Sequence, residues 1–255
     1  MTIPAVHPDT EPAACEPNRA ARPNYEAVPG CTIDFGGNAL QLMPDGSVHE
    51  PRTGTLLVAD PHLGKAERFR YLGVPVPDGP TAATLAALSN AVNRVSARRL
   101  IVLGDLVHGR LPDDHPLFGA ITHWRGAHPH LQVQLVTGNH DRHAGGLPDR
   151  CGITPWHDDD SIGGLGLCHE PALADPDRFS LCGHLHPVIV LRSPVEALRL
   201  RCFWFQRRLG VLPAFGHFTG GMVINPGPDD RLAVTDGLSV HRLPAGFGTR
   251  RRSPR

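Results

Sequence analysis

Apolar runs in this chain stop, again and again, on side chains that can hold a metal ion. The clearest is Leu56-Leu57-Val58-Ala59, which ends abruptly in Asp60-Pro61-His62. Four apolar residues without alternation predict a strand buried on both faces, as in a sheet covered by helices. Asp60 and His62 are two apart, and in an extended segment such residues point the same way, so one carboxylate and one imidazole reach one ion. Pro61 has no N–H for a ladder and biases Asp60 toward an extended backbone. Strand ends in such sheets are where ligands bind.

The pattern recurs. Leu100-Ile101-Val102-Leu103 runs into Gly104-Asp105, and Gln132 to Val136 leads to Gly138-Asn139-His140-Asp141. Shorter runs end at Cys168-His169 and at Cys182-Gly183-His184-Leu185-His186. A lone Asp or His after a strand is more often a cap; the ordered series predicts a metal site. Two divalent ions about 3.5–4 Å apart clamp the attacking and leaving oxygens of a phosphoryl displacement and lower the pKa of bound water toward about 7. A carboxylate can bridge them, and mixed N/O ligands suit Mn, Fe or Zn rather than Mg or Ca. The 16 histidines suit such a site without proving it.

Between these points the pattern predicts β-α-β units. Cys31 to Val48 alternates, with a turn at Asp45-Gly46, and reads as antiparallel strands. Gly64 to Arg70 predicts a short helix or ordered loop. Pro80 opens a helix to about Val95, with Leu85, Leu88, Val92 and Val95 on one face, and a further helix is expected near 115–126. The second half has strands without clear helices, including Arg199–Phe205, Gly221–Ile224 and a hairpin of 232–234 and 238–240 around Asp236-Gly237. Residues 1–30 predict a disordered tail, 31–243 a single domain, and 244–255 a basic tail.

Several classes are excluded or disfavoured. Formal net charge is zero, so no global field draws the chain to nucleic acid. The six cysteines form no C-x-x-C pair, which argues against a zinc knuckle. No leader pattern and no apolar run of about 18 residues is present, so a cytoplasmic protein with reduced thiols is expected, with no membrane partner. Oligomeric state is not indicated.

Asp60-x-His62, Gly104-Asp105, Gly138-Asn139-His140-Asp141, His169 and Gly183-His184-x-His186 resemble, in order, the motifs of calcineurin-like metallophosphoesterases. The segments 59–65, Gly73-Val74-Pro75-Val76-Pro77, His169-Glu170-Pro171 and 212–221 resemble the ligase-associated DNA damage response endonuclease branch, PdeM. Pro61 stands where that branch has leucine. The resemblance implies an α/β fold, a four-layer αββα sandwich. It implies one ion on Asp60, His62, Asp105 and His186, and another on Asp105, Asn139, His169 and His184. His140 would then contact the scissile phosphate and protonate the leaving oxygen, with Asp141 orienting it. His108 matches a second phosphate-facing histidine. Lys65, the only lysine, and Arg68 are candidates for the flanking phosphates.

The expected activity is a phosphodiesterase with two divalent ions, Mn first and Fe or Zn as alternatives. The expected substrate is DNA, cut by an endonuclease in repair. A DNA ligase and a helicase are expected partners by family resemblance alone. The first rival is a hydrolase of small phosphoesters or nucleotides. The second is a non-catalytic scaffold, disfavoured because His140 and every ligand position are filled. Other features have plainer readings: Phe203-Trp204-Phe205 as an alternating core strand, the glycines of 216–221 as close packing, Cys168 and Cys182 as small buried thiols, and His115, His123, His128, His130 and His143 as surface residues.

Overall fold

Residues 31–157, 162–193 and 195–248 are described by a computed structural model. The N-terminal tail expected over 1–30 and the arginine-rich stretch 249–255 lie outside the described residues. The first half runs β1 (Cys31–Phe35), β2 (Asn38–Leu42), β3 (Val48–Glu50), β4 (Thr55–Val58), α1 (Lys65–Tyr71), α2 (Pro80–Val95), β5 (Arg99–Leu103), α3 (Pro116–Ala127), β6 (Gln132–Val136), α4 (Asn139–Ala144) and β7 (Thr154–Pro155). The second half adds β8 (Gly166–Leu167), β9 (Ser180–Cys182), β10 (Pro187–Arg192), β11 (Ala197–Phe205), β12 (Leu209–Val211), β13 (Met222–Val223), β14 (Arg231–Thr235) and β15 (Val240–Arg242).

The first sheet has the order β1-β2-β3-β4-β5-β6-β7. Its strands are antiparallel as far as β4 and parallel from β4 to β7. The β1–β2 hairpin closes on Gly36 and Gly37, both with positive φ (60° and 76°), as a tight two-residue turn requires. Helix α2 begins with Pro80 as its first residue and buries Leu85, Leu88 and Val92, the face expected from their spacing.

The run 56–59 lacks alternation because both faces of the sheet are covered. Leu56 and Val58 join Leu85, Leu88, Ile121 and Trp124 in the core under the helices. Leu57 and Ala59 face the other way, into the core between the two sheets with Phe35, Leu103 and Phe203. On β5, Leu100 and Val102 take the helical side while Ile101 and Leu103 take the other.

The second sheet runs β13-β10-β11-β12-β9-β8, with β14 on β11 and β15 on β14. Strand β11 alternates: Phe203 and Phe205 are buried between the sheets, while Cys202 and Trp204 belong to the outer side. On that outer side the covering groups include Leu243 and Phe247, packed against Ile189, Ile224 and Val234. The packed unit therefore continues past residue 243. Strand β15 starts at Val240, later than expected, because Asp236 Oδ1 takes the N–H groups of Leu238 (2.8 Å) and Ser239 (2.7 Å) and holds both in the turn. The α/β sandwich expected from the motifs is thus observed, with α2 and α3 on the first sheet. No helix of the described residues is long and apolar enough to cross a membrane.

Phe203 is fully buried between the sheets, and Val195 is 94% exposed. Phe203→Ala is expected to lower the unfolding free energy by about 3–5 kcal/mol, and Val195→Ala to change it by less than about 0.5 kcal/mol. Chemical denaturation of the two variants checks the contrast; equal midpoints would contradict the placement of this core.

Candidate metal centre

Every candidate ligand follows a strand. Asp60 and His62 follow β4, Asp105 follows β5, Asn139 follows β6, His169 follows β8, and His184 and His186 follow β9. Strands β4, β5 and β6 are parallel, so their carboxyl ends share one edge, and β8 and β9 are parallel to each other. The expected ends meet, but not by the expected backbone. Strand β4 stops at Val58, and Asp60 and His62 are not extended: their φ values are 53° and 46°. Asp105 (52°), His184 (70°) and His186 (47°) share this left-handed conformation, and among the described non-glycine residues only Ser96 does so elsewhere.

The extended expectation fails for a tertiary reason. The loop after β4 pairs with the loop after β5: Asp60 N–H donates to Gly104 O (3.2 Å), His62 N–H to Asp105 O (2.9 Å) and Leu63 N–H to Leu106 O (2.8 Å). Phe215 N–H donates to Ala59 O (2.8 Å) from the far side. These bonds outweigh the local bias from Pro61. A left-handed backbone at a non-glycine residue costs of order 1–3 kcal/mol and persists where surroundings over-determine it, commonly at functional sites. Asp and His tolerate it better than most residues.

The candidate ligands form two adjoining groups, and His62 with His108 and His140 forms a third whose donor atoms also lie within 4.8 Å of one another. The donor atoms of Asp60, His62 and His186 lie within 4.8 Å of one another, as do those of Asp105, His169 and His184. Asp105 Oδ2 lies between the groups, 3.8 Å from His62 Nε2 and 3.4 Å from His169 Nε2. Asn139 Oδ1 completes the second group, 3.0 Å from His169 Nε2. Each carboxylate has one oxygen fixed by the backbone: His140 N–H donates to Asp105 Oδ1 and His184 N–H to Asp60 Oδ2, both at 2.9 Å. The other oxygens point inward. Asp60 Oδ1 is buried and accepts no hydrogen bond, although His186 Nε2 is 3.3 Å away. An orphaned buried carboxylate oxygen among imidazole nitrogens fits a divalent cation, because the cation supplies the missing partner. His169 donates its other ring N–H to Leu103 O (3.0 Å), the arrangement that frees Nε2 for an ion.

The electrostatics agree. Burial pushes the His62 imidazole down to about 2, so it is neutral, as a ligand must be. Burial also raises the Asp105 carboxyl, but the hydrogen bond and charge of His169 and the His140 N–H outweigh it and hold Asp105 at about 2. His169 is lowered by burial, yet Asp105, the Leu103 carbonyl and Asp60 together lift it to about 9. Without metal, a proton on His169 takes the place of positive charge between the two carboxylates.

The remaining candidates surround these groups. His140 sets its Nδ1 3.1 Å from His108 O, and its ring stacks on His108 with centroids 4.6 Å apart. His108 Nδ1 lies 3.2 Å from His62 Nδ1, so His108 also touches a ligand, a contact that sequence spacing does not reveal. Asp141 is buried, but its carboxylate receives Val107 N–H (3.1 Å) and Gly138 N–H (3.0 Å), binding two site loops together. The His140 ring is thus oriented by a backbone carbonyl. Lys65 is half-buried at the start of α1, and Arg68 is exposed with its guanidinium 5.6 Å from the Tyr71 ring centroid. Cys168 and Cys182 pack together with Val211 as buried residues. His115 and His128 are not plain surface residues: His115 Nδ1 caps α3 on Leu117 N–H, and His128 Nε2 is 2.8 Å from Ser89 Oγ.

A Cβ at Gly138 would lie 2.2 Å from Asp105 Oδ1, and one at Gly183 would lie 2.6 Å from Asp60 Oδ2. Gly138→Ala is therefore expected to weaken Mn²⁺ binding by roughly 10–100-fold through the displaced carboxylate. Calorimetric titration checks this, and wild-type affinity would contradict it. His169 has a folded pKa of about 9 against an ordinary 6.5. In the metal-free protein its pairing adds stability below pH 6.5 that is lost as pH rises through about 9. A cation competes with that proton, so metal affinity should rise across this window and binding at about pH 7.5 should release a proton. Titrations in buffers of different ionisation heat measure the release; a value of zero would contradict the assignment.

No family model and no curated protein matches the chain. Among solved structures, the crystal structure of the Pseudomonas putida nuclease MPE matches at 36% sequence identity with a TM-score of 0.73. The match covers 84% of this chain and 100% of that one. A likeness of that extent in both sequence and fold means that the chain belongs to the family of the nuclease MPE.

Proposed function

We propose that this protein is a metal-dependent nuclease, a phosphodiesterase that cuts DNA with two divalent cations held across Asp105. The observation that carries this reading is the buried Asp60 Oδ1 without a hydrogen bond, facing His62 and His186 beside a second group of donors. The kinship with a nuclease supports the substrate class. One ion would rest on Asp60, His62, Asp105 and His186, and the other on Asp105, Asn139, His169 and His184. N/O donor sets of this kind take Mn, Fe or Zn. When bound, the cations supply neutralisation of phosphate charge and activation of water for attack on phosphorus.

The protein's own groups do the rest. His140 Nδ1–H donates to the His108 carbonyl, which fixes the ring and leaves Nε2 to face the phosphate and hold a proton for the leaving oxygen. His108 is lowered to about 4, chiefly by burial and next by His140, so it is neutral at pH 7. With its Nε2 given to a cation, His62 would carry its proton on Nδ1 and donate it to His108 Nδ1, 3.2 Å away, so that His108 orients that ligand. Asp141 holds the His140 loop against the His108 loop through Gly138 and Val107. The motif resemblance extends the reading to ligase-associated DNA repair in the cytoplasm, with a DNA ligase and a helicase as partners.

The test is nicking of closed circular DNA by metal-stripped protein before and after Mn²⁺ is restored. Nicking is expected only with Mn²⁺ and should vanish in Asp105→Asn. His140→Ala should lose roughly 10²–10⁴-fold in rate while its metal content stays at the wild-type level. Hydrolysis of small phosphodiesters without any DNA nicking would move the substrate to small phosphoesters or nucleotides. Unchanged turnover in His140→Ala would remove that residue from the proton-donor role.

A further inference from the structure

Beside the metal centre a depression of about 380 Å³ is lined by Lys65, Phe69, His217, Phe218, Thr219 and Gly220. Phe69 and Phe218 are half-buried and belong to none of the buried apolar clusters. Their rings meet edge to face at 5.9 Å and 82°. On its other side, Phe69 lies 6.2 Å from the His108 ring at 25°, and His108 in turn stacks on His140. A ladder of rings therefore leads from the histidine assigned to the scissile phosphate out into the depression. The same depression holds the chain's only lysine. Among the described residues, Lys65 Nζ has no hydrogen bond or ion pair, and the nearby carboxylate of Glu67 is engaged by Arg70 and Thr81.

We propose that Phe69 and Phe218 form a nucleobase-stacking subsite next to the scissile phosphate, with Lys65 placed to meet the adjoining backbone phosphate. The proposal rests on the nuclease reading above. The chemistry follows from the parts. Rings left partly exposed gain from covering their apolar faces, and every base offers a π-face without regard to sequence. An unpartnered ammonium beside such rings fits the phosphate that accompanies each base. A base can use these rings only when it is out of a continuous duplex stack, so the subsite takes an unpaired nucleotide.

The test compares cleavage of an all-thymidine oligonucleotide with one carrying a single abasic residue, scored at the linkages flanking that position with Mn²⁺ present. In the wild type, removing the base should slow cleavage there roughly tenfold. In Phe69→Leu and Phe218→Leu, which keep apolar volume but lose the ring, the ratio should shrink to within about twofold. The ratio is internal to each protein, so a general loss of activity does not alter it. Wild-type cleavage indifferent to the missing base overturns the subsite, as does a wild-type ratio unchanged in both variants. Absence of cleavage on every oligonucleotide, with nicking of closed circular DNA retained, overturns the subsite alone, whereas loss of both overturns the nuclease reading and the subsite with it.

Discussion

The structure depends on the pairing of two loops across the top of the first sheet. Residues 60–63 bond to residues 104–107 through their backbones, as if β4 and β5 went on exchanging hydrogen bonds past their last regular residues. The continuation forces Asp60, His62 and Asp105 into left-handed conformations, and with them sets the direction of three candidate ligands. Each such residue costs of order 1–3 kcal/mol. The cost is met by the cores on either face of β4 and β5, which leave the strand ends no freedom to relax.

Two further devices turn that frame into a site. The first is the use of backbone N–H groups to hold one oxygen of each carboxylate. His140, next to the candidate ligand Asn139, does this for Asp105, and His184, itself a candidate ligand of the second group, does it for Asp60 of the first. Gly138 and Gly183 allow the close approach that this needs. The second is Asp141, whose buried carboxylate ties the loop after β6 to the loop after β5. Burial raises its pKa despite the backbone N–H groups it accepts, which marks a site where the fold bears a cost to keep the loops together.

Much of this was readable from residue order alone, and for identifiable reasons. Strands β4, β5 and β6 announce themselves because both faces are buried, and α2 because Leu85, Leu88 and Val92 fall on one stripe. The ligand types were readable because ordered Asp, Asn and His residues after apolar runs have few other uses. The backbone at Asp60 and His62 was not, because a local rule about the residue before proline was overridden by bonds to a loop some forty residues away. The same applies to His108 against His62, to Asp141 under its two loops, and to Phe69 beside Phe218: each contact is made in space by elements that lie apart in the chain. The outer packing of Phe247 was hidden for the opposite reason, since a lone aromatic near a basic terminus has no periodicity to betray it.

In the proposed site two cations sit on either side of Asp105. Anomalous diffraction from crystals grown with Mn²⁺ tests it most directly. Two manganese peaks are expected, one against Asp60, His62 and His186 and the other against Asn139, His169 and His184, with Asp105 between them. A single peak, or manganese bound away from Asp105, would contradict it.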